Sequence, residues 1–407
     1  MNRAADTIRN QKALDRACEK HALFLAGGAG GMRTVLAGED LAGLDLSRRD
    51  LRDADFSGAD LAGCRLDGAD LSGARLCGAR LNGASLVGAR LDEADLRGCD
   101  LSHAKLAAAS CRNTDFRELA NPPADDDGQA TSTPVRLGGA DLSGASLRGA
   151  RLAGCQAAGA VFDDCDLAAA RFERASLAGA SLRAALLART RFSSADLGKA
   201  DLRGADESRA LLDMASTKDM LTGPLPDTPP PMATGGATAK QVGEMLERHM
   251  AQVKGETRDG EAMDFTGLDL RDAAALAGAA LTALRAPGAN LAGLDLRGAH
   301  LQGARLAGAD LSGCNLSGAD LRGADLTGAT LRHADLRRAR LAPLNLGGDR
   351  RLPASLVRAN CRYADLTGAE IAHARLDAAD FGYARIDRKT RETATLDEAQ
   401  ARTLILD

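Results

Sequence analysis

The sequence contains few of the residues that usually build a globular core. Its 407 residues include eight Phe, two Tyr and no Trp, so aromatic residues make up only 2%. It also lacks a long apolar run: residues 1–20 are charged, and the run Ala22–Ala26 is too short to span a membrane or to serve as a secretory signal. We therefore expect a cytoplasmic protein without a membrane span, and export by a signal-independent secretion machine is compatible with these features.

Chemically reactive residues are present but are not grouped. The nine cysteines are an odd number and form no Cys-x-x-Cys pair, which predicts reduced thiols that serve as small buried groups. The six histidines lie far apart, and the acidic run Asp125–Asp127 has no further metal-ligand residues beside it. These patterns predict no catalytic residue, no cofactor and no metal site, and therefore a protein that is not an enzyme.

A large apolar residue recurs every five residues through most of the chain, over about residues 36–116, 137–212 and 263–386. This period matches neither the 3.6 residues of a helical turn nor the two-residue alternation of a strand. Exact short repeats that point one large and one small apolar group inward are typical of solenoids. In the most regular run the predicted core residues are Leu301, Leu306, Leu311 and Leu316.

Units such as Ala309-Asp310-Leu311-Ser312-Gly313 follow the pattern A-(D/N)-L-X-X. On these units the sequence closely resembles the pentapeptide-repeat family. The resemblance implies an all-β solenoid, namely a right-handed quadrilateral parallel β-helix with four pentapeptides per coil. In such a fold the Leu or Phe points to the axis, and successive coils lie about 4.8 Å apart.

With four pentapeptides per coil, residues 20 apart are neighbours along the axis. Phe172 and Phe192 are then expected to stack in the core, and Asp45 is expected to lie beside Arg65 on the surface. In the last run the same rule predicts one column of polar residues: His300, Asp320, Arg340, Asn360 and Asp380.

The repeats predict two β-helical bodies with short α-helical caps and a linker helix. The segments are an N-terminal capping helix and Gly-rich turn (1–33), a first β-helix (34–213) with a disordered loop at about 119–135, a linker (214–262) with an amphipathic helix at about 239–254, a second β-helix (263–390) and a C-terminal capping helix (391–407). Thr238 and Gln241 have the spacing of a capping box at the start of the linker helix. Its apolar face either covers a solenoid end or lies in a groove of a partner.

The five-residue repeat is interrupted at three places. It slips by one residue near 117–136 and near 274–276, where the sequence alone leaves open whether the chain forms a bulge or a break. Across Gly347–Pro353 the phase continues, so that Leu346 is expected in a core position and the path is expected to bend without ending.

Two groups of residues are candidate partner-binding sites. Tyr363 and Tyr383 are one coil apart at the same outward position, close in sequence to the arginines Arg337, Arg338, Arg340, Arg350 and Arg351. Surface tyrosines beside arginines are typical of a protein contact, and an ordinary surface pair is the alternative.

The second group is one column that reads Arg151, Arg171 and Arg191. Either this basic stripe meets an anionic partner, or each arginine pairs sideways with an acid such as Asp166 or Asp196.

The leading functional hypothesis is a non-catalytic adaptor that presents rigid β-helix faces to a protein partner, whose identity the sequence does not give. A homo-oligomer formed through a solenoid end is a further possibility. The segments Gly38–Leu46 and Phe265–Leu270 resemble openings of repeat modules associated with bacterial type VI secretion accessory proteins. That resemblance implies an accessory of a secretion machine.

The alternative is a DNA mimic that modulates gyrase or topoisomerase, which some members of the family are. A duplex mimic needs a dense negative charge. The chain instead has 11 basic against 15 acidic residues over 36–120, 11 against 10 over 136–213 and 17 against 14 over 264–389. Direct nucleic-acid binding is disfavoured, because the basic residues alternate with acids and lack aromatic residues for stacking.

Overall fold

The chain folds into two compact units, Met1–Thr228 and Pro229–Asp407, and each unit has an apolar core of its own. The acidic run Asp125–Asp127 and residues 274–275 of the second phase slip lie outside the residues that can be described, as do parts of the predicted N-terminal segment and linker. The computed structural model describes residues 10–120, 132–225, 237–255, 263–273 and 276–406.

In the described residues, helices and strands of at least two residues are few and short. The helices are α1 (Gln11–Leu25), a 3-10 turn (Glu207–Arg209), α2 (Ala239–Val253), α3 (Arg388–Thr393) and α4 (Glu398–Arg402). The strands are β1 (Leu119–Ala120), β2 (Ser132–Thr133), β3 (Leu344–Asn345), β4 (Arg351–Leu352), β5 (Arg385–Ile386) and β6 (Ile405–Leu406). β1 with β2 and β3 with β4 form antiparallel hairpins, whereas β5 and β6 pair in parallel.

The rest of each unit is a ladder of isolated parallel bridges between residues that are mostly 20 apart. At Asp60 the backbone N–H donates to the Glu39 carbonyl of the previous coil (2.9 Å), and at Leu61 it donates to the Arg80 carbonyl of the next coil (2.7 Å). Each side of a coil contributes only one such bridge before the chain turns. Four sides therefore make one coil, and the ladder forms a four-sided parallel β-helix although the chain has few longer strands.

The turn between two sides accounts for the residue types of the repeat. The N–H of Cys64 donates to the Leu61 carbonyl (3.1 Å), and Gly63 has a φ of 62°. This is the pattern of a type II turn, in which the third residue has positive φ and is usually Gly. The Ala62 N–H donates to Oδ1 of Asp60 (3.0 Å), as in an Asx turn. Asp or Asn before the Leu therefore satisfies a backbone donor that no neighbouring coil reaches.

The core is a stack of Leu, Phe and small residues along the axis. Leu301, Leu306, Leu311 and Leu316 are fully buried, and burial of a Leu side chain contributes about 2 kcal/mol. The rings of Phe172 and Phe192 stack with centroids 5.3 Å apart. Four cysteines in the small position donate their thiol hydrogen to the carbonyl of a core Leu in the previous coil: Cys64, Cys99, Cys165 and Cys314.

In the first unit the ladder continues across the β1–β2 hairpin. Asp100 bridges Arg136 and Asp115 bridges Arg151, so that partners are 36 residues apart instead of 20. The hairpin lies against the preceding coil, because a Cβ added at Gly98 would be only 2.6 Å from Cβ of Leu119. The first phase slip is thus an insertion in a continuous ladder. The predicted pairing of Asp45 with Arg65 is confirmed, with Oδ2 and Nη2 2.7 Å apart.

In the second unit the β3–β4 hairpin shifts the ladder, and the predicted column of polar residues is wrong at the step from Arg340 to Asn360. Its steps from His300 to Asp320, from Asp320 to Arg340 and from Asn360 to Asp380 are confirmed. Arg340 bridges Glu370, which is 30 residues away, while Asn360 bridges Thr330. Because the hairpin adds two whole pentapeptides, the five-residue phase is kept and the coil register is not. The prediction for Leu346 is also wrong, since this residue belongs to the hairpin and is 49% exposed.

Helices lie against the coils at three places. Leu14 of α1 is part of the core of the first unit, and Leu246 of α2 is part of the core of the second. At the C-terminal end of the second unit, the side-chain amide of Gln400 in α4 donates to the carbonyls of Leu376 (2.8 Å) and Ala379 (3.0 Å). These bonds occupy backbone acceptors of the last coil.

Candidate functional site

The two tyrosines belong to a row of three aromatic residues at one corner of the second unit. His333, Tyr363 and Tyr383 occupy the third position of successive turns, with φ values of 56°, 61° and 56°. The turns follow three residues that lie in one ladder: Thr330, Asn360 and Asp380. A positive φ is unfavourable for a bulky residue, and the same position is Gly in most of the other turns.

The three rings form a continuous stack. His333 and Tyr363 have centroids 5.0 Å apart and ring planes inclined by 12°, and Tyr363 and Tyr383 have centroids 5.7 Å apart with planes inclined by 7°. These distances are in the range of offset-stacked aromatic pairs. His333 is 8% exposed, whereas Tyr383 is 39% exposed. The stack thus runs from a buried ring, His333, to an exposed ring, Tyr383.

Arg362 completes this group, which we call the aromatic corner (His333, Arg362, Tyr363 and Tyr383). Its guanidinium carbon lies 5.2 Å from the ring centre of Tyr363 and 5.9 Å from that of Tyr383, and Nη2 donates to the Tyr363 hydroxyl (3.1 Å). Space for it comes from Gly382, where a Cβ would lie 2.9 Å from Nη1 of Arg362. Stacking and the cation–π contact hold the rings in one arrangement.

The arginines predicted to accompany the tyrosines are placed elsewhere. Arg337 binds the carboxylate of Asp335 through two bonds of 2.8 and 2.6 Å. Arg340 lies between Asp320 (3.3 Å) and Glu370 (3.4 Å). Both guanidinium charges are therefore paired with carboxylates on the coil sides to which these arginines belong.

The remaining three predicted arginines also lie outside the aromatic corner. Arg350 and Arg351 are exposed residues of the β3–β4 hairpin, which leaves the coil after Leu341. The turn at which the hairpin leaves the coil is two sides away from the turn that carries Tyr363. Arg338 lies over the next coil, since a Cβ at Gly368 would be 3.4 Å from its Cγ.

In the first unit, Arg151, Arg171 and Arg191 bridge one another in a direct line, which we call the arginine ladder. The predicted pairing with Asp166 and Asp196 is wrong, whereas the predicted pairing with another flanking acid is found for Arg151 with Asp115 (3.8 Å) and for Arg171 with Glu173 (3.5 Å). Asp166 pairs with Arg148 (2.9 Å), and Asp196 accepts the N–H of Gly198 (3.0 Å). These two acids therefore bind groups in other turns of the coil and not the three arginines.

The environment of Cys64 and Cys155 makes these two cysteines poor nucleophiles. Burial raises the pKa of the Cys64 thiol to about 11 and that of Cys155 to about 12, and the thiolate is the reactive form. In the described ranges no group of His, Cys, Asp and Glu side chains could hold a metal ion. No described helix is long and apolar enough to cross a membrane.

Two members of the aromatic corner were missed by reasoning from the sequence. Arg362 directly precedes Tyr363, so adjacency within the turn was an available signal. His333 lies 30 residues before Tyr363, a spacing that becomes a contact only because the β3–β4 hairpin is inserted between them.

Comparisons with solved structures find proteins with the same repeat. HetL, involved in heterocyst differentiation regulation in the cyanobacterium Nostoc sp. strain PCC 7120, is 31% identical over 49% of this chain and 93% of its own, with a TM-score of 0.37. The plasmid-mediated fluoroquinolone resistance protein QnrB1, in a trypsin-treated form, is 22% identical over 46% and 90%, with a TM-score of 0.24. Rfr23 of the cyanobacterium Cyanothece 51142 is 22% identical over 31% and 86%, with a TM-score of 0.17.

A comparison with curated proteins finds no match. The family model for pentapeptide repeats matches in eight copies, at residues 33–68, 45–83, 84–118, 136–173, 170–206, 274–313, 304–341 and 354–388. These copies cover more than half of the chain and coincide with the ladders of both units. The chain therefore belongs to the pentapeptide-repeat family, whose members fold as right-handed quadrilateral β-helices.

Proposed function

We propose that the protein is a non-catalytic interaction scaffold and that the aromatic corner is its docking site for a protein partner. The single observation that carries this proposal is the stack of His333, Tyr363 and Tyr383 that ends in an exposed ring beside Arg362. Tyr and Arg are among the residue types most enriched among the residues that dominate binding energy at protein interfaces.

The rigidity of the corner supports this role. Ordering of flexible side chains weakens binding, at a cost of about 0.5–1.5 kcal/mol in binding free energy for each side chain. Here Tyr363 and Arg362 are already held by ring stacking and by a hydrogen bond of 3.1 Å. A partner can cover Tyr383 with an apolar side chain and offer Arg362 a carboxylate in place of its long ion pair with Asp380 (3.5 Å). Such binding would cost little side-chain entropy.

The helices at the coil ends fit a scaffold that stays separate from other copies. An open coil edge presents unpaired backbone groups to which another chain can add. We infer that α1, α2 and the α3–α4 pair cap their coils, since they bury apolar residues or bind backbone acceptors there. Association through a solenoid end stays a prediction.

The finer hypotheses concern the partner. An accessory role in a secretion machine rests on the two short resemblances at residues 38–46 and 265–270 alone. A DNA mimic that binds gyrase or topoisomerase is the alternative, and the surface charges argue against it. The arginine ladder places three positive charges in a line, and many outward Asp residues are paired with arginines.

The test is a capture experiment with a paired variant and control. Tyr363→Gly together with Tyr383→Gly removes two rings of the corner while supplying the residue that the positive φ prefers, so that folding is retained. The control is His373→Gly, because His373 has a φ of 61° at another exposed turn of the same unit.

Wild-type protein, the double variant and the control are used as baits in lysate of the source cells, followed by mass spectrometry. We expect at least one protein to be captured by the wild type and the control and to be lost by at least about tenfold with the double variant, the loss that removal of one dominant contact causes. Identical captured sets from all three baits contradict the proposed site.

A further inference from the structure

We propose that the arginine ladder of the first unit, with Arg174 and Arg189 beside it, is a second docking surface that binds an acidic segment of a partner protein. It lies in a different unit from the aromatic corner and does not depend on the function proposed for that corner.

The arrangement of the ladder is unfavourable for the fold alone. Arg151 bridges Arg171 and Arg171 bridges Arg191, and like charges directly opposite each other on neighbouring strands destabilise a sheet. The spacing between coils is close to 4.8 Å, so that the backbones of the three arginines lie within about 10 Å. Because this line of like charges does not stabilise the fold, binding of an acidic partner is a reason for its presence.

Four other arginines of the first unit are held by an Asp of their own turn. Each stands two residues after the Asp and makes two short bonds to its carboxylate, as in Asp95–Arg97 and Asp201–Arg203. In the ladder, Arg occupies the position before the core residue. Arg65, Arg80 and Arg136 occupy the same position elsewhere, and each pairs with an Asp of the neighbouring coil. Arg171 instead has Arg151 and Arg191 as its neighbours in the ladder.

The remaining ion pairs of the ladder are long. Nη1 of Arg151 is 3.8 Å from Asp115, a carboxylate that already binds Arg117 at 2.7 Å. Nε of Arg171 is 3.5 Å from Glu173. These two acids are the only described carboxylates paired with the ladder, and neither holds its arginine in a short bond.

Three guanidinium groups have no ion pair or side-chain hydrogen bond to any residue in the described part of the chain. They belong to Arg191, to Arg174, which lies in the turn after Phe172, and to Arg189, which lies in the turn before Arg191. All three residues are exposed. The surface therefore carries five arginines, and Asp115 and Glu173 are the two acids that pair loosely with them.

The chemistry of the surface favours carboxylates over nucleic acid. Guanidinium groups bind carboxylates through paired hydrogen bonds. The turns beside the ladder contribute small residues, Ala153, Gly154, Ala168, Ala169 and Ala188, and no ring on which a base could stack. A flat β-helix side also cannot enter a DNA groove as a helix does. In an extended peptide, side chains on one face repeat about every 6.8 Å, so that two or three alternate acidic residues match the length of the ladder.

The test measures binding of a fluorescein-labelled peptide, (Glu-Ser)6, to the full chain by fluorescence anisotropy at 50 mM and 200 mM NaCl. The ladder variant carries Arg151→Gln, Arg171→Gln and Arg191→Gln. The control carries Arg52→Gln, Arg97→Gln and Arg203→Gln, which remove the same total charge from arginines that are paired with Asp. A labelled oligothymidylate of twelve nucleotides is measured in parallel.

At 50 mM NaCl we expect the ladder variant to bind the peptide at least about tenfold more weakly than the wild type and the control variant to change the affinity less than about threefold, because each exposed pair contributes little but three act together. Binding should weaken at 200 mM NaCl. Thermal unfolding should occur at the same or a higher temperature in the ladder variant, since a like-charge contact is removed.

Three results overturn the proposal. Equal loss in the ladder and control variants would mean that only net charge matters. Ladder-dependent binding of oligothymidylate that is tighter than binding of the peptide would assign the surface to nucleic acid. Absence of peptide binding to the wild type at 50 mM NaCl would remove the acidic ligand altogether.

Discussion

The helices α1 and α2 stand at the start of the two units and are built on one plan. Each has 15 residues, and each buries its fourth, eighth and eleventh residue: Leu14, Cys18 and His21 in α1, and Val242, Leu246 and His249 in α2. The segments Cys18–His21 and Leu246–His249 read Cys-Glu-Lys-His and Leu-Glu-Arg-His. Two helices with the same apolar stripe thus place a histidine against the coils of their units.

The two histidines differ in what they bind. In α1, the backbone N–H of Thr34 donates to Nδ1 of His21 (3.1 Å), so that Nε2 carries the proton and donates to the Arg52 carbonyl (2.9 Å). The side-chain amide of Gln11 adds two bonds of 2.8 Å to the backbone of Asp45. The first helix therefore uses side chains to satisfy backbone groups of the coil.

In α2 the contact is mainly apolar. His249 is 6% exposed, and its ring packs edge-on against Phe265 with centroids 6.2 Å apart. Nε2 has no hydrogen-bond partner among the described residues. Burial lowers the pKa of His249. The comparison teaches that the same burial pattern specifies where a helix packs, while the polar partners decide how tightly it is held.

The largest expected effect separates the two units. Leu311→Asp places a charge without a partner in the packed core of the second unit, which costs more than about 4 kcal/mol. We expect α2 and the second ladder to lose protection from hydrogen exchange, while α1 and the first ladder keep it. Mass spectrometry of the exchanging peptides measures both units in one sample.

The matched control for this variant is Ala307→Asp, at a partly exposed turn position of the same run. It should change the exchange of neither unit. Loss of protection in both units with Leu311→Asp would contradict two separate cores.

The second prediction sharpens the difference between the histidines. His21→Phe leaves the buried Thr34 N–H without an acceptor, so the first unit should lose about 1–3 kcal/mol. His249→Phe keeps a ring against Phe265 and removes a buried nitrogen without a partner, so the second unit should be unchanged or slightly more stable. The unfolding temperature should fall in His21→Phe and stay the same or rise slightly in His249→Phe. Equal destabilisation in both variants would mean that the hydrogen bonds of His21 add no stability of their own.

The smallest effect is a dependence on pH. Because the folded-state pKa of His249 lies below its ordinary value, near 6.5, the contact is fully stable above that pH. As the pH falls from about 6.5 towards the folded-state value, the unfolded chain takes up a proton first and the second unit loses stability. Hydrogen exchange of α2 at pH 7.5 and 5.5 should show this loss in the wild type and its absence in His249→Phe.

Carboxylates do not interfere in this window. Burial works against the charge of Asp387, but hydrogen bonds from the backbone N–H groups of Thr390 and Gly368 lower its pKa to about 2. Its contribution is present above the ordinary Asp pKa of about 3.9 and is lost only below it. An unchanged pH dependence in His249→Phe would assign the effect to another group.

Much of the fold could be predicted because the repeat is short. The positions of Leu311 and Leu316 in the core follow from the turn that closes every five residues, and that turn involves only neighbours in sequence. The aromatic corner was predicted in part: Tyr363 and Tyr383 are 20 residues apart with no insertion between them. Arg337 and Arg340 were expected beside them and instead pair with acids of their own coil sides, since nearness in sequence does not give the side of a coil.

By itself, the sequence determined the five-residue turn, the inward Leu and small residues, and the Asp or Asn that binds the turn N–H, because these depend on contacts within one or two pentapeptides. Only the tertiary structure decided which coil sides meet after each hairpin. An insertion of whole pentapeptides leaves the local pattern unchanged but moves every later residue to a new neighbour, as when Arg340 meets Glu370 and His333 meets Tyr363. Which residues meet between coils depends on the total number of residues between them in the chain, and the five-residue pattern does not specify that number.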